Sequence, residues 1–241
     1  PGYVYAVKDD KVYVNLFLSN RAELKVNGKN VVLEQETSYP WNGDIRLTVA
    51  KGNQPFVMNV RIPGWVRGSV LPGDLYSYAD GQELAYRVSV NGQEVRGELQ
   101  NGYLGIDRRW KKGDVVEIHF DMQPRVVKAN DKVAADRGRV AIERGPLVYC
   151  AEWPDNDFNI STLLLNRHPK FQLVERPDLL GGINEITTRA QALSYDATGR
   201  LATKDVKLTL IPYYAWAHRG EGRMEVWLPI EVGAASAELQ E

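Results

Sequence analysis

A single cysteine, Cys150, stands in a chain of 241 residues, so no intramolecular disulfide can form and the fold must hold by packing alone. Apolar runs are equally scarce, each a handful of residues and far short of the ~20 that a membrane helix requires. Charge of one sign is missing too: 30 basic residues face 31 acidic ones. The cluster Arg108, Arg109, Lys111, Lys112 is the longest run of either sign. That pattern excludes the electrostatic footprint of a nucleic-acid or anionic-membrane binder. The opening PGYVYAVKDD has no initiator methionine, basic n-region or apolar h-region, and reads as an excised piece whose targeting segment, if any, is upstream or removed.

What is present is period-two alternation. KVYVNLFL (11–18), DIRLTV (44–49), FVMNVRI (56–62), YRVSV (86–90), VVEIHF (115–120), residues 140–149 and residues 206–211 all read as strands rich in Val, Ile and aromatics. Asn27-Gly28 and Asn91-Gly92 lie between apolar runs and suit the two positive-φ positions of a type I′ hairpin. Lys51-Gly52-Asn53 and Lys112-Gly113-Asp114 break two further strands. The recurring order of Asn-Gly hairpin, Lys-Gly turn and alternating strand is hairpin grammar and not a duplication, because the intervening residues do not match. The expected class is all-β, two consecutive sandwich domains of jelly-roll or Ig-like type over residues 1–125 and 126–241, with few short helices. STLLLNR (161–167) and TTRAQAL (187–193) are the two helical candidates.

The candidate chemistry is thin. Cys150 ends an apolar strand in ERGPLVYCAEW with no histidine near it, which reads as a buried structural thiol and not a nucleophile. His119, His168 and His218 make no His-x-His or His-Glu-x-x-His pair, so no metal ligand set is assigned. Asp155-Asn156-Asp157 lacks the longer calcium-loop pattern and reads as a solvated turn. No carboxylate pair can be singled out for glycoside hydrolysis, and Gly220-x-Gly222 opens no helix that would face a phosphate. No residue is assigned a catalytic role. The richest stretch is IPYYAWAHRGEGRMEVWLP (211–229). Val206, Leu208, Leu210, Pro212, Tyr214 and Trp216 are expected on one face of a strand that returns through Arg219–Gly222 to Met224, Val226 and Leu228. Aromatics there fill a core or an interface as readily as they stack on a sugar. The Trp216, His218, Arg219 tip is the part that points to function.

Six ordered blocks resemble one family. VYVNLFLSNRAEL, YPWNGDIRLTV, FVMNVRIPGW, GYLGIDRRWKKGDVVEIHFDM, DRGRVAIERGPLVYCAE and IPYYAWAHRGEGRMEVWLP resemble the C-terminal β-domains of glycoside hydrolase family 127, once domain of unknown function 1680, over roughly residues 3–230. Characterised members are bacterial β-L-arabinofuranosidases. The resemblance implies an upstream α/α barrel carrying a zinc-bound cysteine nucleophile beside a second cysteine, a Glu-x-Cys pair and a glutamate acid/base. The adjacent cysteines fall shortly before the segment matching Gly2 to Tyr5. No position here inherits those roles, so no cofactor is assigned to this chain, and zinc is implied only for the parent's catalytic domain. The implied partners are that domain, the parent's carbohydrate substrate and a second copy of the chain; nucleic acid and membrane are not among them. Trp41, Trp65 and the Trp216 tip are the candidates for substrate or domain-interface contact. The alternatives are a stand-alone pair of carbohydrate-binding modules, with Trp216 or Trp41 as platform, and a purely structural β-protein.

Overall fold

The computed structural model of the protein describes residues 2–236; residue 1 and residues 237–241, the outer ends of the two expected domains, lie outside them. Strand is the dominant element of the described chain, beside four single turns of 3-10 helix and one short α-helix at Val232–Ser236. No described helix is long and apolar enough to cross a membrane.

It forms two compact units. The first takes the chain up to Ser69 together with Gln82–Met122; the second takes Val70–Gly81 and the chain from Gln123 onward. Nothing in a linear division near residue 125 anticipates the excursion of residues 70–81. Its cause is local. Tyr76–Tyr78 pairs antiparallel with Pro124–Ala129, Arg125 donates from Nε to Asp80 at 3.0 Å, and its guanidinium lies 3.5 Å from the centre of the Tyr78 ring. Tyr78 in turn donates to Glu143 at 2.7 Å. A buried arginine is costly unless paired, and here the excursion supplies its carboxylate.

The first unit is a sandwich of two sheets. One orders Tyr5–Lys8, Lys11–Val14, Asn53–Arg61 and Tyr103–Lys111; the other orders Asn20–Val26, Lys29–Thr37, Asp44–Lys51, Val115–Phe120, Tyr86–Val90 and Gln93–Glu94. Alternation dictates the packing: Phe56, Met58 and Val60 of one sheet and Ile45, Leu47 and Val49 of the other are buried, while their neighbours in sequence are more exposed. Both Asn-Gly pairs have the positive φ that type I′ turns need, 49° and 74° at Asn27-Gly28 and 52° and 79° at Asn91-Gly92. The two Lys-Gly turns each carry the chain from one sheet to the other. They also bond to each other, Lys112 N–H donating to Gly52 O at 3.0 Å and Gly113 N–H to Val49 O at 2.9 Å.

The second unit builds its layers from one continuous sheet. Its path runs through Leu163–Leu165, Ile183–Tyr195, Leu201–Pro212, Leu147–Glu152, Arg139–Arg144, Pro124–Ala129 and Tyr76–Tyr78. Leu163 and Leu165 at one end share a core cluster with Ile142 and Leu228 from the far part, so the sheet doubles over on itself. Residues 187–193, a helical candidate, are strand. Ile183–Tyr195 is paired on both edges, by Gln172–Arg176 or Leu163–Leu165 and by Leu201–Pro212, and those pairings override a weak helical pattern. Of residues 161–167, only one 3-10 turn at Ile160–Thr162 precedes the strand.

Candidate functional site

The stretch 211–229 is not the hairpin its alternation suggests. Pro212 is the last paired residue of its strand, opposite Tyr149, and Tyr213–Ala215 then forms a 3-10 turn. The returning pieces do not pair back. Met224–Glu225 adds to Leu147–Glu152 and Leu228–Pro229 to Arg139–Arg144. Tyr214 and Trp216 are therefore released from the expected core face and are exposed.

A buried charge cluster holds the released loop in place. Arg219 reaches back to the strand end and the 3-10 turn that follows it, donating to Asp155 Oδ1 at 2.6 Å and also to Glu152. Glu152 is only 2% exposed, and its other oxygen accepts the Ala217 N–H at 2.8 Å. Ala217 sits at φ 64°, a left-handed conformation that non-glycine residues adopt at a cost, secured here by that bond. The hydrogen bond to Asp155, then that to Glu152, raise the Arg219 pKa above its ordinary value against the opposing effect of burial.

Outside this clamp lies an aromatic ledge. Tyr213 and Trp216 stack with ring centres 6.3 Å apart and planes 21° from parallel, and both are exposed, as are Tyr214 and Trp153. Trp153 rests on the backbone of Gly222, where a Cβ would come within 1.9 Å of the indole ring. A shallow pocket opens between Glu152, Trp216 and the Gly220–Gly222 backbone. Of the three tip residues only Trp216 lines this pocket; Arg219 turns inward to Glu152 and Asp155, and His218 is exposed. Trp153, missed in the sequence, packs on the Gly222 wall of the pocket; its signal was an aromatic directly ahead of a proline turn in EWPDND.

The other candidates stand in the first unit. Trp65 is 8% exposed and packs edge-on against Phe120 with ring centres 5.7 Å apart, so its ring is used in that unit's own core and leaves little surface for a partner. Trp41 is half-buried at the end of a turn in which its N–H donates to Ser38 O at 2.8 Å, beside the cis Tyr39-Pro40 bond. Gly43 follows it because a Cβ there would meet the Phe120 carbonyl at 1.9 Å.

Cys150 is fully buried next to the clamp. Burial pushes its thiol up to about 12, the charges of Glu152 and Asp155 adding to the shift and Arg219 opposing it. Such a thiol is neither a ready nucleophile nor a ready metal ligand. A disulfide reagent at pH 8 is expected to leave Cys150 unmodified in the folded chain and to titrate one full thiol in denaturant; rapid native labelling would contradict the burial. Asp155 is engaged by Arg219, and the Asn156 side chain turns inward to bond Glu152 O at 2.8 Å and Thr209 N–H at 2.9 Å. Of the solvated turn expected at 155–157, only Asp157 is exposed.

Two family models match consecutive stretches of the chain, the first of them including the excursion of residues 70–81. A model described as the GH127 middle domain of β-L-arabinofuranosidase matches residues 11–122, and one described as the glycoside hydrolase family 127 C-terminal domain matches residues 124–229. The non-reducing end β-L-arabinofuranosidase of Bifidobacterium longum subsp. longum is 33% identical over 93% of this chain. A solved GH127 β-arabinofuranosidase superposes with a TM-score of 0.95 at 72% identity over 97% of the chain. A GH127 β-L-arabinofuranosidase from Geobacillus stearothermophilus T6 gives 0.83 at 35% identity over 94%. The chain spans about a third of these relatives: 34%, 37% and 35% of their lengths.

Proposed function

This chain belongs to glycoside hydrolase family 127, of which it carries the middle and C-terminal domains, and we propose that it is the non-catalytic β-sheet portion of a β-L-arabinofuranosidase whose catalytic domain is encoded upstream. Coverage carries this reading: the sequence aligns to about a third of each relative and leaves about two thirds of each without a counterpart. The zinc-bound cysteine chemistry that the family implies does not fit the residues present. It calls for paired cysteines, and the one cysteine here is sealed in a sheet with its thiol pushed up to about 12. Zinc and the nucleophile are accordingly assigned to the upstream domain.

The role left to the chain is contact. The ledge of Trp153, Tyr213, Tyr214 and Trp216 is a fitting surface for the catalytic domain, since aromatics concentrate at such interfaces and the Arg219 clamp presents them already ordered. A second copy of the chain is the alternative occupant. The near-parallel, exposed Tyr213 and Trp216 rings favour a second reading, a carbohydrate-binding module acting without a partner.

Zinc content and L-arabinose release from an aryl β-L-arabinofuranoside separate these readings, measured on this chain and on the same chain extended through its upstream coding region. The expected result is a metal-free, inactive chain beside an active, zinc-bearing extended protein. Turnover by the chain alone would overturn the proposal, while affinity of the chain alone for arabino-oligosaccharides, lost in Trp216→Ala, would establish the second reading.

A further inference from the structure

A second surface of the C-terminal unit carries charge that the fold itself does not use. Arg189 and Lys207 are direct cross-strand partners on Ile183–Tyr195 and Leu201–Pro212. Like charges placed opposite one another destabilise a sheet. The segment before Gln172–Arg176 brings His168 and Lys170 to the same place, and the four line a groove of about 730 Å³ with the buried Thr187 on its floor. All four are exposed, and none forms an ion pair with a described residue. One acid shares the groove: Asp205 also lines it and accepts from Gln191 at 3.3 Å, so the charges of Lys170, Arg189 and Lys207 leave the lining net positive, while buried Glu185, whose field Lys207 does reach, accepts from Arg176 at 2.7 Å.

We propose that this groove binds the carboxylates of a uronate-bearing polysaccharide, holding the parent enzyme on an acidic glycan while the catalytic domain acts elsewhere on it. The proposal rests on the reading of the parent as a glycosidase. Arginine's planar fork matches a carboxylate, and lysine adds an unspecific positive charge. The groove's hydroxyl and amide groups suit sugar hydroxyls. A nucleic acid would demand a longer basic face, and this one is confined to a groove in a chain whose net charge is −1.

The test is affinity electrophoresis of this 241-residue chain in gels containing oligogalacturonate or its fully methyl-esterified form. Retardation by the free acid alone is expected, weakening as salt rises and falling about tenfold in the double variant Arg189→Gln/Lys207→Gln, with a smaller loss in Lys170→Gln. Arg46→Gln, which removes one charge from the first unit, is expected to bind as the parent chain does. Thermal melts followed by circular dichroism check that each variant is folded. Equal retardation by the ester, no retardation by either, unchanged affinity in the folded double variant, or equal retardation by duplex DNA would each overturn the proposal. None of these outcomes bears on arabinose release by the extended protein, so failure of the groove and failure of the glycosidase reading are told apart.

Discussion

Trp110→Ala is expected to destabilise the first unit by about 3–5 kcal/mol, the range for removing a fully buried large aromatic. Three contributions combine. The side chain is wholly buried, so its loss leaves a cavity between the sheets. Its indole N–H donates to the Phe56 carbonyl at 3.0 Å, a buried hydrogen bond that the substitution removes. Its ring stacks on Phe56 at 5.7 Å with the Arg108 guanidinium 5.2 Å from its centre, contacts that alanine cannot replace. Trp110 also precedes the Lys112-Gly113 turn, where the chain changes sheets, so the damage falls at a junction and not at a frayed end. Hydrogen exchange read peptide by peptide should show Asn53–Arg61 and Tyr103–Lys111 losing protection by about 10²–10⁴-fold, with Ile183–Tyr195 unchanged. Trp110→Phe, which keeps most of the volume and loses the hydrogen bond, is expected to cost about 1–2 kcal/mol. A loss of protection below about fivefold in the alanine variant would mean that the sheets close over the gap, and the packing argument would fail.

What was legible in the sequence follows from how local each cause is. The alternation at 44–49 and 56–62 marks strands because each is half-buried, and the Asn-Gly pairs mark hairpins because the turn chemistry lies within two residues. Pairing partners are another matter. Alternation at 206–216 and 224–228 says that both pieces are extended-like, not that the second will join Leu147–Glu152 and Arg139–Arg144 in place of its neighbour. Residues 183–188 are buried without a break, so the period that separates strand from helix is absent there, and TTRAQAL could be read either way. The excursion of residues 70–81 hangs on a three-residue strand and one arginine, too little to register in a pattern.

The site shows the same division. Trp216, His218 and Arg219 were visible as an unusual tip because residue type alone marks them. Their support was not: Arg219 meets Glu152 and Asp155 across 67 and 64 residues, and no spacing rule links such positions. Trp41 and Trp65 stand out by residue type as well, and type does not report that Trp65 is turned against Phe120.

Arg219→Ala is the second large effect, expected to cost the C-terminal unit about 3–5 kcal/mol because it strips the counter-charge from a buried carboxylate. Glu152 would keep only the Ala217 N–H, in a position 2% exposed. The variant should also lose exchange protection at Ala217 and along Leu147–Glu152, since the clamp joins the aromatic loop to that strand. Arg219→Lys keeps the charge but not the fork that spans Glu152 and Asp155, so an intermediate loss is expected. The deciding variant is the double one. Adding Glu152→Gln to Arg219→Ala removes the orphaned charge and should restore about 1–2 kcal/mol, although Glu152→Gln alone destabilises the parent chain. Strictly additive losses in urea unfolding would show that the two side chains do not act as a pair, and the loop that presents Trp216 would then owe its position to packing on Gly222 and Trp153 instead.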